Sequence, residues 1–172
     1  IMELMRLGVL NNSRKSFYPG KTVASFTFGS KRLYHFVDHN PDLHYMPFTV
    51  VNDPVNIAKN NNMISINTAL SIDLLGQVNA DNIGGCQYSA TGGQIDFVRG
   101  AQMSRGGKSF IAVTSSFRDR KQGMNSRIVS HFPAGTAVTT PRSDVQYVVT
   151  EYGCVNLKPL TMRQRTQALI AL

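Results

Sequence analysis

Apolar and polar positions change period several times along the chain, and each change marks an element. Thr22-Val23-Ala24-Ser25-Phe26-Thr27-Phe28 alternates with period two and is rich in β-formers, which predicts a strand. Gly29 ends it, and Ser30 is placed to cap a helix reaching about Val37. Phe48-Thr49-Val50-Val51 predicts a second strand, after which Asp53 and Pro54 open a short helix as its cap and first helical residue. Met63-Ile64-Ser65-Ile66 reads as a third, buried strand, and Asn60-Asn61-Asn62 as a loop. The stretch from Asp73 to Asn79 and the pair Gly84-Gly85 are rich in turn formers, and Gln94 to Arg99 reads as a helix. Further strands are expected at Ser109 to Thr114, Arg127 to Ser130, Thr136 to Thr139 and Val145 to Thr150. Thr161 and Gln164 have the spacing of a capping box, so a final helix starts at Thr161. Strands and helices that alternate in this way predict an α/β domain.

No repeat or long linker divides the sequence, so residues 1–172 are read as one domain. Ile1 to Gly8 has the pattern of the last turns of an amphipathic helix closed by glycine, and Ala168 to Leu172 lies within an apolar helical stripe. These ends lead us to expect part of a longer polypeptide. At 42% hydrophobic and 16% charged residues, the composition is that of a folded protein. No apolar run approaches the roughly 18 residues that span a bilayer. No leader pattern is visible, and the two cysteines, Cys86 and Cys154, are read as reduced thiols, so a cytoplasmic protein is expected. The four histidines are scattered, and no metal site is expected. The net charge is +8, with Arg99, Arg105, Lys108, Arg118, Arg120, Lys121 and Arg127 offset locally only by Asp119. This stretch is either a solvated face or an attractor for an anionic ligand. A phosphorylated cofactor fits better than nucleic acid, because aromatic residues are not interleaved with the basic ones.

Three segments are candidates for chemistry. In Ser89-Ala90-Thr91-Gly92-Gly93-Gln94, two glycines stand where a loop becomes a helix. The main chain is bare there, and the first N–H groups of the helix have no internal partner, so a phosphate or an oxyanion could be held. The same pair also reads as a tight turn with no ligand. Asn67 to Asp73 and Gly76 to Asp81 pack amides and carboxylates into an apolar setting, which fits a role in bracing neighbouring loops. Gly106-Gly107-Lys108-Ser109 resembles a phosphate loop, but Gln102 stands where that motif needs glycine and a strand follows in place of a helix. Lys108 can still meet a phosphate as a point charge. No G-x-S-x-G elbow occurs, which argues against a serine hydrolase.

Together these segments resemble the acetyl-CoA hydrolase/transferase family, which includes 4-hydroxybutyrate, butyrate and acetate CoA-transferases. The resemblance is carried by Ile66 to Leu70, Asp73 to Asp81, Gly92 to Ala101, Gly106 to Ser109, Ser126 to Val129, Val138 to Val145 and Tyr147 to Gly153, in order along the chain. It implies an open α/β sheet flanked by helices, the carboxy-terminal domain of a two-domain protein. It implies a CoA-transferase that moves CoA from an acyl-CoA to a short-chain carboxylate through a glutamyl-CoA thioester. The nucleophilic glutamate would lie upstream of Ile1. Glu3 would then sit on the helix that follows it, and Glu151 would be structural.

By the same resemblance, Gly93 and Gly92 look like main-chain contacts to the thioester or CoA. Asn52 looks like an amide near the glutamate, and Lys108 like a CoA-contacting lysine. CoA enters as substrate, with no permanently bound cofactor. The amino-terminal half of the same protein and a second copy, forming a homodimer, are the implied partners, with no nucleic acid and no membrane. Ala90 and Ser71 depart from the family pattern, which carries glycine and glutamate there, and this touches substrate range more than reaction class. An acetyl-CoA hydrolase is the nearest alternative, and a non-catalytic basic binding module is the rival of another kind.

Overall fold

A computed structural model of the chain describes residues 1–119 and 123–172. Helix α1 (Met2–Arg6) is followed by strand β1 (Thr22–Ala24), α2 (Lys31–Val37), β2 (Leu43–Tyr45), α3 (Phe48–Val51) and α4 (Pro54–Ala58). Next come β3 (Ile64–Thr68), β4 (Ser71–Asp73), β5 (Val78–Asn79), β6 (Asn82–Ile83), β7 (Cys86–Gln87) and α5 (Gln94–Met103). The remainder is β8 (Lys108–Ala112), β9 (Ser116–Asp119), β10 (Gly123–Ser126), β11 (Ile128–Val129), β12 (Tyr147–Thr150), β13 (Gly153–Asn156) and α6 (Met162–Ile170).

The main sheet has the order β13-β12-β8-β3, parallel throughout except for the β12–β13 hairpin. A crossover through α5 joins the edge strand β3 to its parallel neighbour β8. Period-two alternation sends Ser65, Ser109, Ile111 and Val148 to the buried face. There α5 covers them, with Val98 and Ala101 fully buried and Gln102 donating to Ser109 Oγ at 3.2 Å. The core joins Ile72, Val78, Val98, Ile111, Val145, Val148, Leu157 and Leu169. No residue before Ile57 is buried.

The opposite face of β3 is bare: Ile64 and Ile66 are 48% and 71% exposed, and the sequence expectation of a wholly buried strand is corrected. That face is apolar because neighbouring strands continue it, Phe110 stacking on Tyr147 at 4.8 Å. β3 is also an edge. Lys108 N donates to Met63 O and Ala69 N to Ala112 O, so the main-chain groups of the intervening Ile64, Ile66 and Thr68 turn away from β8. β1 and β2 form a separate parallel pair, and Val23 likewise turns its main chain away from β2. Both free edges open onto one cavity of about 830 Å³, lined by Val23, Met46, Val51, Ile57, Ile64 and Phe97 among others. Lys15 lies at this cavity, its ammonium bonded to the Lys21 carbonyl at 2.8 Å, and burial lowers its pKa.

Several expectations hold and others do not. Ser30, Asp53 and Thr161 cap their helices through side-chain oxygens, as the sequence predicts. Phe48–Val51 is a helix, not a strand: Pro47 starts the turn and Asn52 N closes it on Phe48 O at 2.9 Å. The strand at Thr22 ends at Ala24, leaving Phe26 and Phe28 exposed. Thr136–Thr139 forms no strand; only Thr140 makes an isolated bridge, to Val78.

Candidate functional site

Two helices meet at their amino-terminal ends. α4 and α5 pack side by side, and Gly100 permits the approach, since a Cβ there would lie 2.6 Å from Ile57. Higher up the same pair, the side chain of Asn52 lies against Gly93, the residue that precedes α5. A Cβ added to Gly93 would sit on the Asn52 amide, 2.9 Å from its Cγ. Glycine at 93 thus lets the Asn52 amide approach closely, and at 92 it suits a left-handed φ of 59°. A Cβ at Gly92 would meet nothing within 4 Å, so the turn is open to solvent.

Gly93 has no side chain with which to cap α5, and among the described residues no other side chain caps it. The first N–H groups of a ten-residue helix are thus left at its positive end. Asn52 does not cap α4; Asp53 does so, accepting from Val55 N at 2.9 Å. The Asn52 amide makes no hydrogen bond among the described residues, and its two donors and one acceptor stay available beside Gly93. An amide, a glycine main chain and an uncapped helix end can together hold an oxyanion.

The loop leading to this turn is exposed from Ile83 to Gly92 but is tied down at its base. Asn79 braces its start, its amide donating to Asn82 O at 2.8 Å and its carbonyl accepting from Asn82 N at 3.0 Å. The carbonyl of Asp81 accepts from Tyr88 N at 2.7 Å and from Ser89 N at 3.3 Å. Thr139 Oγ1 donates to Asp81 Oδ1 and accepts from Ala80 N, both at 2.8 Å. The next residue, Thr140, is fully buried and accepts from Gln94 Nε2 at 3.0 Å. Sequence reasoning assigned no role to Gln94, Thr139 or Thr140: their partners lie 46 and 58 positions apart, beyond any local pattern.

Lys108 is not brought to this place. It starts β8 and is exposed, beyond the far end of α5, about 15 Å along a ten-residue helix from Gly93. Glu3 pairs with Arg32 at 2.8 Å with both side chains largely exposed. Glu151 receives Ser115 Oγ at 2.6 Å and Ser115 N at 2.8 Å. The Ser115 hydroxyl, then its N–H and the glutamate's own N–H, hold the carboxyl below the usual glutamate range. Ser71 accepts from Asn79 at 3.3 Å. Near it Arg127 donates to Leu70 O at 2.8 Å, while its buried Nε has no partner among the described residues.

Two members of the basic stretch are engaged locally. Arg99 is paired with Asp144 at 2.9 Å and Arg127 lies over the Phe117 ring. Arg120 and Lys121 lie outside the described residues. No cluster of metal-binding side chains occurs among the described residues, and no helix there is long and apolar enough to cross a membrane.

The family model described as the acetyl-CoA hydrolase/transferase C-terminal domain matches residues 29–172. The chain is 48% identical over 170 residues to the 4-hydroxybutyrate coenzyme A transferase of Clostridium kluyveri, covering 99% of this chain and 39% of that protein. The crystal structure of RipA from Yersinia pestis superposes with a TM-score of 0.90 at 44% identity, over 99% of this chain and 38% of that one. An acetyl-CoA hydrolase of Neurospora crassa is more distant, 24% identical over 165 residues, 95% of this chain and 30% of that protein. The chain thus spans under two-fifths of the length of these relatives.

Proposed function

Because the chain belongs to the acetyl-CoA hydrolase/transferase family, we propose that it is the carboxy-terminal catalytic half of a CoA-transferase. The observation that carries this reading is the contact of Asn52 with Gly93 at the uncapped start of α5. There the thioester carbonyl of an acyl-CoA accepts hydrogen bonds from the Asn52 amide and from main-chain N–H groups. Charge that develops on that oxygen during attack is stabilised by donors already in place. A glutamate from the part of the polypeptide preceding Ile1 attacks the thioester carbonyl and expels CoA as its thiolate. The thiolate then attacks the glutamyl carbonyl of the resulting anhydride, so that the original acid leaves as its carboxylate and the glutamate carries CoA as a thioester. A short-chain carboxylate then takes the CoA, releasing the glutamate.

On this reading CoA is a substrate, and no permanently held cofactor takes part. The amino-terminal half of the same protein completes the site, and the whole works as a cytoplasmic homodimer without nucleic acid or membrane. Lys108 contributes only if the distal phosphates of CoA extend past the far end of α5. Transfer is favoured over hydrolysis by the higher identity to proteins named transferases.

The test is acyl-CoA and acetate exchange by the full-length protein, with and without Gly93→Ala. The substitution crowds the Asn52 amide, and loss of one oxyanion donor typically costs about 10²–10³-fold in kcat. A Gly93→Ala enzyme that turns over at the wild-type rate removes the site from this turn. Stoichiometric release of free CoA without transfer makes the enzyme a hydrolase. The 172-residue chain alone is expected to show no exchange.

A further inference from the structure

The Gly92–Gly93 turn ends a loop that begins at Ala80, and both ends of that loop converge on two consecutive residues. Thr139 holds the beginning, bonding Ala80 N and the Asp81 carboxylate. Thr140 holds the end, receiving the amide of Gln94, which follows Gly93 directly. The threonines are themselves pinned to the core, since Thr139 N donates to Val78 O and Val78 N donates to Thr140 O. Val78 and Thr140 are fully buried.

We infer that Thr139, Thr140 and Gln94 are positioning residues that fix the Gly92–Gly93 turn for catalysis. Their chemical task rests on the reading of Gly93 given above; their mechanical task does not. The exposed loop from Ile83 to Gly92 carries little packing of its own, and a turn with an open left-handed glycine has no intrinsic reason to hold one orientation. Two adjacent anchors, both bonded through their main chain to Val78, fix both ends of the loop against the same reference. Gly93 and the start of α5 are thereby held against the Asn52 side chain. A wet, unpinned loop would have to be ordered anew at each encounter.

The design is legible in the choice of side chains. Thr140 is buried and accepts a neutral amide, which needs no charge compensation. Asp81, 5% exposed, is answered by the Thr139 hydroxyl at the base of the loop. A single hydroxyl at 139 both donates and accepts, so its removal orphans a main-chain N–H and a carboxylate oxygen together.

The experiment uses the full-length protein with Thr140→Val, Gln94→Met and the pair combined, and Thr140→Ser as the conservative control. Turnover and amide hydrogen exchange across Tyr88 to Gly93 are followed in each. Thr140→Val and Gln94→Met are each expected to lower kcat by about 10–100-fold, with KM for acyl-CoA moving less than about threefold, as for a small misplacement of a catalytic group. The double variant should be no slower than the worse single one, because both remove the same bond. Thr140→Ser should restore both turnover and exchange protection.

Unchanged exchange across Tyr88 to Gly93 in Thr140→Val and in Gln94→Met overturns the inference, whatever the rate. So does strict additivity of the two substitutions, or a failure of Thr140→Ser to rescue. Faster exchange with wild-type turnover upholds the anchoring and instead removes Gly93 from the chemistry, so the two readings fail separately. If Thr140→Val does not fold, Gln94→Met still breaks the bond from its less buried end.

Discussion

Ser115 places two donors on Glu151, one from its hydroxyl and one from its main chain, although the carboxylate is exposed. A group whose pKa is depressed in the folded state adds stability above its ordinary pKa, and that contribution is lost as pH falls through the folded value. The effect is therefore confined to the acid side, below the usual glutamate range. An NMR titration of Glu151 is expected to give a midpoint below that of an ordinary glutamate, and Ser115→Ala should bring it back up. A midpoint unmoved by the substitution would assign the depression to another cause. At this scale the sequence was readable where a residue acts on neighbours within three positions. Asp53 capping Val55 and Gly93 at a loop-to-helix join are of this kind. Asn52 and Gly93 were each picked out by resemblance to a family, but their mutual contact belongs to the packing of α4 on α5. The bond of Thr140 with Gln94 was invisible for the same reason.

Helix ends were the most legible elements, because capping is local chemistry. Thr161 Oγ1 accepts from Gln164 N at 3.4 Å, and Gln164 Oε1 accepts from Thr161 N at 2.9 Å. Loss of such a cap typically costs about 1 kcal/mol, so Thr161→Ala should lower thermal stability by that amount, read by calorimetry. A change indistinguishable from zero would mean that Leu169 and Arg165, both buried on α6, fix the helix without its cap. Strands were less legible, because a strand exists only through its partner. Phe48-Thr49-Val50-Val51 has the residues of a strand, yet Pro47 directs the chain into a helical turn, closed by Asn52 N on Phe48 O. Thr136 to Thr139 has a similar composition, but the Thr139 hydroxyl is committed to Ala80 and Asp81. The apolar, exposed face of β3 misled in the opposite sense: its isoleucines point away from the core that the pattern suggested.

Burial divides the whole molecule unevenly. Every buried side chain lies from Ile57 onward, and the first 56 residues rest on half-buried contacts and the short β1–β2 pair. Regions with few buried apolar contacts open at lower free energy than the core. Limited trypsin digestion of the isolated chain is therefore expected to cut first after Arg14, Lys15, Lys21, Lys31 or Arg32, leaving a resistant product that retains Arg165, as mass spectrometry would show. Early cleavage at Arg165, which is 8% exposed and bonded to the Arg142 carbonyl at 2.8 Å, would contradict this gradient.

The free edges of β1 and β3 have a consequence for handling the chain by itself. Val23 on β1, and Ile64, Ile66 and Thr68 on β3, present main-chain donors and acceptors not used by a neighbouring strand among the described residues, beside apolar side chains, and a neighbouring molecule can satisfy them as readily as any native segment. Such pairing is bimolecular, so dilution guards against it and crowding invites it. Concentration, more than heat, then sets how long the isolated chain remains monodisperse.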